Sequence, residues 1–201
     1  MADHAATLAV HDPNIGNTGL DHRKMGMWIF LGSDCMFFGS LIGTYLAYKG
    51  KSLVGPVPRQ IFNIPLTSYS AALLLASSLF MVLALARLRV NRIRAAAFWL
   101  FATAAFGAHF VLNQVYEFTT FALHDGLRLS TNLFGSTFFV LTGFHGAHVT
   151  GGVIWLSILM VLALRGRLDR RDYTKVEIAG LYWHFVDIVW IALFTIVYLI
   201  P

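Results

Sequence analysis

The stretch GFHGAHVTGG, Gly143 to Gly152, decides how this chain is read. His145 and His148 stand three residues apart inside a run, Leu133 to Leu164, that carries no Asp, Glu, Lys or Arg. At helical spacing the two rings share a face. Gly143, Ala147 and Gly151 fall four apart on a neighbouring stripe, where a second backbone can approach closely. A polar pair beside a small-residue seam, far from either end of the run, marks this segment as the expected hub of a helical bundle.

Working outward, the 201 residues are 57% hydrophobic and only 12% charged, where a soluble domain carries about 25% charged residues. Five apolar runs each exceed the roughly 18 residues that read as a membrane span. The chain is therefore expected to be an all-α, five-helix transmembrane protein. The spans fall at about 24–48, 66–88, 95–123, 132–164 and 176–200, behind a polar N-terminal arm over 1–22 that contains Pro13, Gly16 and Gly19. Gly50, Gly55, Pro56 and Pro58 make 49–64 a loop, and Pro65 suits the first turn of the second helix. The short basic turn Arg87 to Arg94 makes the second and third helices an antiparallel hairpin. No repeat or linker divides the chain. The fourth run, about 48 Å long at 1.5 Å per residue, exceeds the hydrocarbon layer of about 30 Å, so it tilts or protrudes.

The formal charge of +5 does not point to nucleic acid, because the basic residues lie in short loops between spans. Eleven Lys and Arg fall on the side of the N-terminus and the second and fourth loops, against Lys49, Lys51, Arg59 and Arg128 on the other. That bias predicts a cytoplasmic N-terminus and an external C-terminus. Cys35 is the one cysteine, which excludes an internal disulfide, a two-cysteine copper centre and a C-x-x-C-H haem attachment. The first span lacks a small-residue cleavage site and reads as a retained helix, not a signal peptide.

Ionisable groups inside a bilayer cost at least about 2.5 kcal/mol each, so each asks for a reason. The first helix has Asp34 near its middle. The third carries His109, Asn113 and Glu117 on one stripe with Gln114 beside it, and the fifth carries Glu177, Gly180, His184 and Asp187 on one face. One reading gathers His109, His145, His148, His184 and the carboxylates as metal or haem ligands, with Asp187 orienting a histidine. Against it, His-x-x-His alone is weak, and the paired Glu-x-x-His of carboxylate-bridged bundles is missing. A second reading builds a proton or transport path from Asp34, Glu117, His184 and Asp187, though the paired halves and broken helices of transporters are not visible. The third has these groups hydrogen-bond across helices and fix their register. Glu117 and Glu177 lie near helix ends, where water satisfies a carboxylate. The aromatic residues are expected at lipid-facing and interfacial positions.

Four strings carry a resemblance: LTGFHGAHVTGG (Leu141–Gly152), LYWHFVDIVWIALF (Leu181–Phe194), MWIFLGSDCMFFGSLIGTYLAY (Met27–Tyr48) and NQVYEF (Asn113–Phe118). Together they resemble subunit III of the haem–copper terminal oxidases, in its five-helix bacterial form, over nearly the whole chain after residue 22. The resemblance implies a non-redox accessory subunit without a catalytic, cofactor or metal site of its own. It packs on subunit I beside subunit II, which hold the haem and copper, and supports oxygen and proton traffic in a proton-pumping respiratory complex of the bacterial cell membrane. It also implies bound phospholipid, in a cleft between the first two helices and the rest. Asp34 takes the place of the family's buried first-helix carboxylate, more often glutamate. Glu117, His145, His148, His184 and Asp187 match its interhelical polar set, which His109 joins on residue chemistry. Two alternatives remain from sequence: a similar accessory protein of a nitric oxide reductase, and a small stand-alone transporter.

Overall fold

A computed structural model describes residues 21–52, 62–124 and 126–200. Among them are five helices long and apolar enough to cross a membrane, and no strand. Helix α1 runs His22–Tyr48, α2 Ile64–Arg89, α3 Ile93–Leu123, α4 Leu133–Leu164 and α5 Tyr173–Leu193. A 3₁₀ turn, Arg170–Asp172, leads into α5, and a π-helical turn, Phe194–Leu199, continues it. The expected arm lies outside the described residues except for its last two: Asp21 caps α1 and His22 opens it.

Local chemistry sets the ends. The side chains of Asp21, Asn63 and Asn132 accept from backbone N–H groups in the first turns of α1, α2 and α4, donors the helix itself leaves free. Pro65 sits in the first turn of α2, where its missing N–H costs nothing. Asn91, with φ 57°, turns α2 directly into α3, so the two pack as the expected hairpin. At the end of α4, Gly166 takes φ 67°, and Arg167 N–H reaches back to Leu162 O. Asp169 and Asp172 form a reciprocal capping box ahead of α5.

Neighbours in sequence pack in series, α2 on α3 and α3 on α4, while α5 fills the space against α2 and α4. Helix α1 lies outside this group and, among the described residues, packs mainly on α4 and α5. It shares no packed face with α2, so among the described residues the first two helices form no unit set apart from the rest by a cleft. The hub also differs from expectation. Over an apolar 18-residue stretch of each, half of the span containing α5 is buried, against 28% of α4 and 11% of α1.

The reason is a tryptophan. Trp183 of α5 is wholly buried and wedges between Gly107 of α3 and Gly152 of α4. Its Nε1–H donates to Ser77 Oγ of α2 at 2.9 Å, so one side chain ties four helices. Close approach therefore happens at Gly107, Gly146 and Gly152, where an added Cβ would come within 3.0 Å of a neighbouring side chain. The expected seam behaves otherwise: no atom lies within 4 Å of a Cβ at Gly143, and only the Tyr182 hydroxyl at Gly151. On α1, Gly39 and Gly43 likewise face open space. The aromatic residues are not only lipid-facing, since Phe110, Phe121, Phe138, Trp183 and Trp190 are core.

Candidate functional site

The polar groups singled out from sequence lie in three separate interfaces. Between α1 and α4, His148 Nε2 stands 3.6 Å from Asp34 Oδ2. His148 Nδ1 lies 2.7 Å from Phe144 O. A carbonyl only accepts, so Nδ1 donates to Phe144 O, and a bond between Nε2 and the carboxylate requires a proton on one of the two. Tyr182 of α5 closes this corner by donating to His148 O at 2.9 Å. Asp34 does not bond Ser33 or Ser40; their hydroxyls donate within α1 to Phe30 O and Phe37 O.

Between α2 and α5, Ser78 joins His184 and Asp187 of the fifth helix. Its Oγ lies 2.9 Å from His184 Nδ1 and donates to Asp187 Oδ2. Asp187 is 3% exposed, so it faces a serine in the interior and is not placed to orient His145 or His148. Glu177, on the same face about two turns before His184, instead pairs with Lys24 of α1 at 2.6 Å.

Between α2 and α3 the expected stripe forms two hydrogen-bonded groups. His109 Nε2 lies 3.2 Å from Asn113 Nδ2, which also donates to Ser70 Oγ at 2.8 Å. Glu117 accepts from Thr67 Oγ1 at 2.5 Å and from Tyr198 OH at 3.3 Å. It is 7% exposed, so water at a helix end is not what satisfies it. The π-helical turn matters here, because it carries Tyr198. Gln114 turns the other way and donates to Thr142 O of α4 at 2.7 Å.

His145 stands apart from all three. It is fully buried, stacked on Trp190 with centroids 5.0 Å apart and edge-on to Phe110 at 5.8 Å. Neither ring nitrogen has a hydrogen-bond partner. The two helix-four histidines thus diverge, with Phe38 of α1 touching both rings. Among the described residues no group of three His, Cys, Asp or Glu comes together as ligands for an ion.

Several partners were missed in the sequence: Thr67, Ser70, Ser77, Ser78, Tyr182, Trp183 and Tyr198. For α2 a signal existed. Thr67, Ser70, Leu74, Ser77, Met81, Ala84 and Leu88, all buried, recur at three- and four-residue steps, the spacing of one helix face.

The sequence model for "Cytochrome c oxidase subunit III" matches residues 3–200. The chain belongs to the cytochrome c oxidase subunit III family. Among similar subunit III chains, cytochrome c oxidase subunit 3 of Bacillus sp. (strain PS3) is 38% identical over 89% of this chain and 86% of its own length. Quinol oxidase subunit 3 of Bacillus subtilis (strain 168) is 37% identical over 87% and 85%. Quinol oxidase subunit 3 of Bacillus spizizenii is 39% identical over the same shares. With five spanning helices, this subunit III is a multi-pass membrane protein and a part of an oxidase complex.

Proposed function

We propose that this chain is the non-redox accessory subunit of a proton-pumping haem–copper oxidase in a bacterial cell membrane. The observation that carries this reading is the separation of the histidines. His109, His148 and His184 engage neighbours in three different interfaces, and His145 lies in an aromatic cage. Side chains arranged so hold helices in register and, among the described residues, do not converge as donors for a metal. Haem and copper then belong to subunits I and II, and subunit I is the main packing partner. The chain's part is to support assembly and the oxygen and proton traffic of that partner, with cytochrome c or quinol as electron donor. Similarity to chains named as oxidase subunits favours this over a nitric oxide reductase accessory or a transporter.

Orientation and lipid form part of the proposal. The Lys24–Glu177 pair and the Arg89–Tyr173 contact gather the start of α1, the α2–α3 turn and the start of α5 at one end. That end holds the basic excess and is cytoplasmic. A phospholipid chain fits the groove of about 460 Å³ along Val153, Ile154, Ile158 and Val161. Arg165 at its end suits an anionic headgroup.

The test is purification in mild detergent, identification of the accompanying chains, and a visible spectrum with elemental analysis of the separated subunit. The expected result is co-purification with a haem-ligating subunit I and no stoichiometric metal on this chain. One metal per chain, lost in both His145→Ala and His148→Ala, would overturn the reading.

A further inference from the structure

A small cavity lies among α2, α3 and α5, walled by Leu66 and Phe110 and otherwise polar. Its polar lining is Thr67, Ser70, Asn113, Gln114, Glu117 and Trp190. Of these, Thr67, Ser70, Gln114, Glu117 and Trp190 are each at least nine-tenths buried. The Trp190 Nε1–H has no hydrogen-bond partner in the protein. An indole N–H left unpaired in a bilayer interior is costly, because lipid offers no acceptor.

The size of the space is selective. At about 10 Å³ for a water-sized sphere, it has the room that one buried water needs, provided two to four polar partners surround it. An organic ligand or hydrated ion is too large. An apolar cavity of this size would stay dry, but this one is edged by a carboxylate, two hydroxyls and two amides.

We infer that this cavity binds one ordered water, which accepts the Trp190 Nε1–H bond and donates to the Glu117 carboxylate. Each carboxylate oxygen has two acceptor sites, so Glu117 can take this bond beside those from Thr67 and Tyr198. The Asn113–Ser70 pair also lines the space and supplies the remaining partner. The water ties α5 to α2 and α3 at a point where no direct hydrogen bond from Trp190 does so. It also makes the polar groups from His109 through Asn113, Ser70 and Glu117 to Tyr198 one connected set.

The experiment is a density map of the chain in the complex it purifies with, at a resolution that shows other buried waters. The expected result is a peak within hydrogen-bond distance of both Trp190 Nε1 and a Glu117 oxygen. A dry cavity, or an Nε1–H bonded to a protein atom, overturns the inference. Ultraviolet resonance Raman of wild type minus Trp190→Phe reads the same bond independently. The difference spectrum should carry the signature of a hydrogen-bonded indole N–H, and that of a free indole N–H would refute the site. Should Trp190→Phe fail to assemble, the wild-type map alone decides.

Discussion

Replacing Gly107 by alanine puts the wedge around Trp183 to a direct test. The new Cβ would stand 2.4 Å from Trp183 Cη2, and 2.9 Å from both Cζ2 and Val153 Cγ2. Relief requires a shift of about 1 Å to reach ordinary contact at 3.4–4 Å. Trp183 has nowhere to go. Gly152 closes the far side, where an added Cβ would lie 2.8 Å from the ring, and Ser77 holds the indole nitrogen. Overpacking of this kind costs about 1–3 kcal/mol, and the blocked slot puts Gly107→Ala at the upper end. Exchanging glycine for alanine within a helix returns about 1 kcal/mol of propensity, leaving a net loss of about 2 kcal/mol. Gly143→Ala makes the control, since its Cβ meets nothing within 4 Å and only the propensity gain applies. For a chain of this length 1 kcal/mol shifts the midpoint by about 2–4 °C. Thermal unfolding of the detergent-purified chain with its natural partners should therefore place Gly107→Ala about 4–8 °C below wild type, and Gly143→Ala at or slightly above it. Equal midpoints for the two variants would refute the wedge.

Other expectations concern the polar interfaces. A double-mutant cycle of Asp34→Ala and His148→Ala should give a coupling of about 0.6 kcal/mol, the average for polar pairs between membrane helices; additivity within error would deny the contact. Thr67→Val keeps shape but removes a donor to the buried Glu117, so it should destabilise by about 1–3 kcal/mol. Ser40→Ala, whose hydroxyl bonds only its own helix on an exposed face, should stay within about 0.5 kcal/mol, and similar losses in both would count against the Glu117 site. For topology, a cysteine at Val90 in a Cys35→Ser background should react with impermeant reagent only from the cytoplasmic side of sealed vesicles. Labelling from outside would reverse the orientation.

The five spans were legible because span length and the lack of charge are properties of the sequence itself, and Pro65 marked the first turn of the second. Which small residues carry close contacts was not. Gly143, Ala147 and Gly151 have the right spacing, yet a glycine packs closely only where a partner inserts, and the inserting group is Trp183 on another helix. Composition assigned tryptophan to the lipid face, although Trp183 and Trp190 stand seven residues apart on one side of α5, which is a buried-face spacing. Pairing was hidden for a similar reason. His145 and His148 are neighbours in sequence, but a step of three turns one ring toward α3 and α5 and the other toward α1. The stripe His109–Asn113–Glu117 was legible because its members recur every four residues along one helix face, whereas its bonds to Thr67, Ser70 and Tyr198 cross to other segments and were not.

The outlying position of α1 has a consequence for how the chain is made. It emerges from the ribosome first, yet among the described residues it packs mainly on α4 and α5, which are synthesised last. Helices α2, α3 and α4 each meet a partner as soon as the next is complete. The carboxyl of Asp34 must therefore wait in the membrane, without His148 beside it, while more than half of the chain is translated at about 5–20 residues per second. For those seconds α1 is a lone span with a polar group exposed to lipid. That is the interval in which an insertase, or a neighbouring helix of another newly made subunit, has most to gain by holding it.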